Sequence, residues 1–160
     1  MMTEDEIIHF VAGLGQVDVM TASRESGAPE IAWGDSFFLY DPDGRARERG
    51  GFTPFATLVT KDYPDFDSDS DLDRPGVFRV NIAVGRALFE EVVGHTPAAH
   101  AEHREGFDFT EPDRLLPHPA YAAQGWLAVL NPGPRTSGRV RELLCLAKER
   151  AAARHRPQEQ

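Results

Sequence analysis

The chain opens on polar residues and then turns apolar at helical spacing. Thr3-x-x-Glu6 has the form of a capping box, in which each side chain accepts a bond from the other's backbone N–H. Ile7, Ile8, Val11 and Leu14 follow along one side. This pattern predicts a helix over 3–13, stopped by Gly13 or Gly15. Short β-like runs come next, VDVMTA (17–22), EIAW (30–33) and SFFLY (36–40), divided by SGAP and GD turns. The segment 41–51, DPDGRARERGG, is polar and Gly-rich and reads as a loop.

PFATLVT (54–60) is apolar on both alternations, the mark of a central strand buried on both faces. VFRVNIAV (77–84) alternates: Phe78, Val80, Ile82 and Val84 form one face, and Arg79 and Asn81 share the other. Gly85 ends that strand, and RALFEEVVG predicts a short amphipathic helix carrying Leu88, Phe89, Val92 and Val93 on one side. Residues 95–112 have no period and read as loop or frayed helix. In LLPHPAYAAQGWLAVLNPG (115–133) each proline pushes the residue before it toward extended geometry, so the stretch leads into a last strand at GWLAVL (125–130). A final helix over 135–153 follows, with Val140, Leu143, Leu144 and Ala147 at i, i+3, i+4 and i+7.

The order α-β-β-β-β-β-α-β-α lacks the alternation of a doubly wound sheet. It predicts an α+β fold: a single compact domain over 1–153, a largely antiparallel sheet with helices packed on one face, and a frayed tail over 154–160.

Composition narrows the partners. The net charge is −9, but from Pro134 onward seven basic residues face three acidic ones, leaving 10 basic and 23 acidic residues in 1–133. An acidic body repels nucleic acid, whose affinity rests on neutralising phosphates. The basic final helix reads as a solvated face, or as a dock for an acidic protein partner. A single cysteine, Cys145, excludes an internal disulfide and a multi-Cys metal site. The acidic start without a basic n-region, and the lack of any apolar run near the ~20 residues a bilayer needs, place the chain in the cytoplasm and off the membrane.

Two clusters invite a metal reading. In DYPDFDSDSDLD (62–73) Asp65, Asp67, Asp69, Asp71 and Asp73 fall at alternate positions, but an EF-hand counted from Asp65 meets Ser70 where Gly is needed and Gly76 where Glu is needed. A solvated acidic loop is expected there. His95, His100 and His103 have spacing that imidazole ligands can use, but they sit in an Ala/Pro segment that reads as surface. No metal and no cofactor is expected.

No G-x-S-x-G or phosphate loop is present, and Cys145 lies mid-helix. What remains is a set of polar and aromatic residues at strand ends: Trp33, Tyr40, Lys61, Arg79, Asn81, Tyr121, Gln124 and Trp126. If the helices cover one sheet face, these residues line the other as an aromatic-walled cleft. The competing expectation is that both tryptophans are packing residues and that Arg79 pairs with an aspartate of 62–73.

The segments GAPEIAWGDSFFLYDPDG, PFATLVTKDYPDFD, DRPGVFRVNIAVGRALFEE and LLPHPAYAAQGWLAVLNPG resemble an uncharacterised bacterial domain-of-unknown-function family over most of 3–150. More distantly, the layout is similar to the MmcQ/YjbR-like proteins, with Val80-Asn81-Ile82, Pro119-Ala120-Tyr121 and Trp126 at matching places. That resemblance implies an α+β sandwich. It also implies a DNA-binding role, which the net charge of −9 opposes. Gly125 stands where that group has a His, and Ala122-Ala123 where it has Asn-Lys.

The chain is therefore expected to be a non-catalytic domain, monomer or homodimer, binding a small molecule or a protein on its open sheet face. The alternative is a small hydrolase or isomerase using His118, held between two prolines, as general base near Lys61 or Asp62.

Overall fold

A computed structural model describes residues 1–49 and 53–155, the side chains of Arg47 and Arg49 excepted. The first helix, α1 (Glu4–Ala12), starts where the capping box predicts. Thr3 Oγ1 accepts the Glu6 N–H at 3.1 Å, and the Glu6 carboxylate accepts the Thr3 N–H. β1 (Val17–Thr21) then pairs directly with β2 (Ser36–Tyr40), Thr21 opposite Ser36. Residues 30–33 are thus left in the connection without a neighbouring strand. Glu30–Ala32 forms a 3₁₀ turn after Pro29, not the expected strand. The expected loop at 41–51 contains a short helix, α2 (Ala46–Arg49), started by Asp41 Oδ1, which accepts the N–H groups of Arg45 and Ala46. Residues 50 and 51 of that segment lie outside the described residues.

β3 (Ala56–Val59) and β4 (Arg79–Ala83) fill the middle of the sheet, and α3 (Arg86–Val93) follows after Gly85. The segment expected to be loop or frayed helix contains α4 (His100–His103) between two 3₁₀ turns. The Leu116-Pro117 step is itself a two-residue strand, β5 (Leu116–Pro117), which pairs with β6 (Trp126–Leu130). The sheet order is β1-β2-β3-β4-β6-β5 and every pairing is antiparallel. α5 (Ser137–Arg154) closes the fold and buries Val140, Leu143, Leu144 and Ala147, the predicted stripe. The expected frayed tail lies outside the described residues from 156 onward. The described part does not fray at its start, since Arg154 still belongs to α5.

Strand period 2 sorts the sheet into two faces. On one, Phe38, Ala56, Leu58, Val80, Ile82, Leu127 and Val129 pack against α1, α3 and α5. Each fully buried Leu or Phe there contributes roughly 1.5–3 kcal/mol. The other face was expected to be open. Between β3, β4 and β6 it is covered by the 61–76 loop, whose Leu72 packs among Val59, Leu116 and Leu130 and is 1% exposed. Among the described residues no helix is long and apolar enough to cross a membrane.

Candidate functional site

Arg79 and Asn81 stand on the second face of β4, opposite Val59 and Thr57 of β3 and Leu130 and Ala128 of β6. A guanidinium in the middle of a sheet must find partners for all its donors. Asn81 of the same strand and the covering loop supply four of the five. Arg79 Nε donates to Asn81 Oδ1 at 2.7 Å, and Nη1 donates to Asp67 Oδ1 at 3.0 Å and to Ser70 Oγ at 2.9 Å. Nη2 makes the second arm of the ion pair with Asp67. Asn81 Nδ2 passes the network on to Thr57 Oγ1 at 2.9 Å. Arg79 is 0% exposed. The competing expectation, an aspartate partner from 62–73, describes this residue; a ligand on an open face does not.

His118 closes the same cluster from β5's end. Its Nδ1 accepts the N–H groups of Ala120 (3.0 Å) and Tyr121 (2.9 Å), shaping the turn after Pro119. Two donors on Nδ1 put the proton of the neutral ring on Nε2, which lies 3.2 Å from Arg79 Nη2 and 3.9 Å from Asp67 Oδ2. Burial first, and then the Arg79 charge, hold His118 well below the ordinary histidine range. A general base needs a lone pair that substrate can reach. This one is occupied by backbone donors on a ring 2% exposed. The neighbours expected for it are elsewhere: Lys61 pairs with Asp35, and Asp62 Oδ1 accepts the Leu72 N–H. His118 acts here as a turn residue.

A second polar cluster pins the start of the loop. Asp35, 0% exposed, accepts from Thr60 N (2.8 Å), Thr60 Oγ1 (2.9 Å) and the Tyr63 hydroxyl, with Lys61 Nζ at 3.6 Å. Burial, then the bond to Asp35, raise the Tyr63 phenol above its ordinary range. Lys61 Nζ also donates to the Trp33 carbonyl, while the Trp33 indole donates to Ala28 O at 2.9 Å. Trp33 and Lys61 therefore belong to this structural cluster.

The acidic loop is not the extended row its spacing suggested. Asp65 and Asp71 take left-handed backbone (φ 65 and 53), and the carboxylates diverge. Asp67 turns in to Arg79, Asp69 pairs with Arg104, and Asp73 accepts the Asp62 N–H. The histidines do converge: His95 stacks on His103 at 4.4 Å and lies 3.3 Å from His100 by Nε2···Nδ1. Among the described residues, however, no group of three His, Cys, Asp or Glu side chains is arranged to hold a metal.

The remaining residues lead to the end of the sheet. Tyr40, Gln124 and Trp126 line a cavity of about 620 Å³ where β2 and β4 finish and β3 and β6 begin, walled by Ala147, Arg150, Ala151 and Arg154 of α5. A second lobe of about 430 Å³ shares Gln124 and Arg150 and is lined by Gly85, Arg86 and Pro97. These volumes suit a small molecule. Two glycines build the junction. Gly125 (φ +82) packs on Gly85 (φ +85) so closely that a Cβ on it would lie 3.0 Å from Gly85 Cα, and a Cβ on Gly85 would lie 2.6 Å from Arg150 Nε. Val84 and Gly85 both donate to Gly125 O, which fixes this approach. Arg150 thereby rests on bare backbone.

The electrostatics of the cleft oppose those of the whole. Neither lobe has an Asp or Glu among its described lining residues, although the chain carries 26 acidic residues. Among the described residues Arg150 and Arg154 have no ion-pair partner. Burial, then the neighbouring Arg154, lower Arg150 below its ordinary value. Tyr121 stands outside the cleft, 38% exposed, with its ring edge-on to Phe66 at 5.6 Å and 6.4 Å from Trp126.

Of the eight expected binding residues, the fold thus brings three together at the sheet end. The sequence does not single out Arg150, Arg154 and Arg86, since basic residues of a terminal helix read as a solvated face or a dock for an acidic partner. A signal for them exists: Ala147 and Ala151 leave room beside the apolar stripe, and the arginines at i+3 from each line that room.

A family model described as a family of unknown function (DUF6194) matches residues 2–160. No curated protein and no solved structure matches the chain.

Proposed function

Since the chain belongs to this family of unknown function, we propose from its own geometry that it is a non-catalytic domain binding a small molecule in the sheet-end cleft. The observation that carries this reading is the contrast between the two polar regions. The Arg79 cluster pairs four of the guanidinium's five N–H groups with Asn81, Ser70 and Asp67, whereas the cleft keeps arginines beside Trp126, Tyr40 and Gln124 without a protein counter-charge among the described residues. Polar groups held ready in a concave, partly apolar space are what a ligand site requires. The occupied lone pair of His118 favours binding over general-base catalysis.

A cytoplasmic location is part of the reading, in keeping with the single free cysteine. A distant likeness to the MmcQ/YjbR-like proteins also belongs to it, resting on the layout of elements. Nucleic acid is disfavoured as a partner by the net charge of −9.

A thermal-shift screen of a metabolite library is expected to yield stabilising compounds, and Trp126→Ala to abolish their shifts while leaving the fold intact by far-UV circular dichroism. Hits whose shifts survive Trp126→Ala, or a library without any hit, would count against the cleft.

A further inference from the structure

The cleft reading can be deepened to a ligand class. We infer that the occupant is an anion joined to a flat apolar body, its phosphate or carboxylate held by Arg150 and Arg154 and its ring beside Trp126 and Tyr40. This rests on the cleft being the binding site.

Three observations converge on it. Arg150 and Arg154 are one helical turn apart on α5 and line one cavity, with Arg86 lining the adjoining lobe. Two guanidiniums sharing a cavity repel each other, and the repulsion grows as water is excluded. A carboxylate beside them would relieve it, and this chain does set one beside each of Arg79, Arg104 and Arg139. Here the described lining residues include no Asp or Glu, in a chain whose acidic residues outnumber the basic ones by nine. A cleft lined by one sign of charge concentrates the opposite sign within it. Guanidinium forks match the paired oxygens of carboxylate and phosphate.

The other end of the cavity sets the shape. Trp126 and Tyr40 bring flat rings, Tyr40 meeting His155 edge-on at 5.4 Å, and Leu39, Phe55 and Ala83 complete an apolar floor. Gln124 lies on the boundary between the lobes, where it can offer both a donor and an acceptor. A purely apolar ligand leaves the arginines uncompensated, and a bare inorganic ion leaves the ring wall uncovered. The geometry therefore points to a molecule with both parts.

The test uses matched probes that differ in charge. Adenosine monophosphate is compared with adenosine and with inorganic phosphate, and indoleacetate with indoleacetamide. Binding is measured by isothermal titration on the full chain, on R150Q/R154Q and on Trp126→Ala. At least one anion is expected to bind about tenfold or more tightly than its neutral counterpart. R150Q/R154Q is expected to erase that preference without lowering the ligand-free melting temperature, and Trp126→Ala to weaken the anion and its neutral counterpart together. Response to the phosphate pair alone identifies a phosphate, and to the indole pair alone a carboxylate.

Neutral members binding as tightly as the anions would overturn the inference, as would a charge preference that survives in R150Q/R154Q. Absence of binding by every anion would also overturn it. The cleft itself would still stand if a neutral screening hit lost its shift in Trp126→Ala. The two failures are therefore distinguishable.

Discussion

Replacing Arg79 by Met is expected to destabilise the protein by about 3–5 kcal/mol, the usual cost of breaking a buried ion pair from one side. Met preserves much of the volume, so the loss does not come from a cavity. It comes from Asp67, 6% exposed, which is left buried without a counter-charge after both guanidinium arms are gone. Ser70 and Asn81 lose a partner in the same stroke. The mechanism makes a second, sharper demand. Adding Asp67→Leu to Arg79→Met removes the stranded charge and is expected to recover most of the loss, since apolar replacement of a whole buried pair is often neutral. Urea unfolding with a constant m-value reads both effects. A single variant within about 1 kcal/mol of wild type, or a double variant no better than the single, would refute this account of the cluster.

The second large effect is expected at Asp35. Asp35→Ala leaves Thr60 N, the Thr60 hydroxyl and the Tyr63 hydroxyl without their acceptor and deprives Lys61 of its counter-charge. Each buried group left unsatisfied costs about 1–3 kcal/mol. Lys61 and Tyr63 are only half-buried and regain water, so the total is expected near 2–4 kcal/mol. Asp35→Asn keeps Oδ1 for Thr60, but it loses the attraction to Lys61 and sets an amide NH2 against the Tyr63 hydroxyl, which must turn to accept from it, so it is expected to cost about 1–2 kcal/mol. Urea midpoints for the two variants check the order Ala worse than Asn. The loop held by these contacts also carries Leu72, so Asp35→Ala is expected to raise hydrogen exchange across 61–76 before the rest of the sheet opens. Uniform exchange across the chain would contradict a local role.

Much of this architecture is legible in the chain because apolar period and punctuation agree. The capping box, the β4 alternation and the Val140/Leu143/Leu144/Ala147 stripe each name an element and its inner face by spacing alone. The fate of the outer face is harder to read. Alternation in β4 says that Arg79 and Asn81 share a side, but periodicity carries no information about what covers that side. The cover is a stretch rich in aspartate and serine, whose composition reads as solvated. Its order comes from individual bonds, Asp67 to Arg79 and Tyr63 to Asp35, between positions far apart in sequence. His118 illustrates the same limit: two flanking prolines predict a constrained position, but not the Nδ1 contacts with Ala120 and Tyr121 that give this residue to shaping a turn. The cleft was half legible. Tyr40, Gln124 and Trp126 stand out as aromatic and polar strand-end residues, but their cationic wall lies on α5, where charge in a terminal helix ordinarily means only solvent exposure.

The central claim is that the sheet face around Arg79 is sealed and that binding belongs to the sheet end. The most direct test is an amide chemical-shift titration of the labelled full chain with the strongest stabiliser from the metabolite screen. The account predicts perturbations concentrated at Tyr40, Ala83 to Gly85, Gln124 to Trp126 and Arg150 to His155. Perturbations concentrated instead at Tyr63 to Leu72, over the Arg79 cluster, would contradict it.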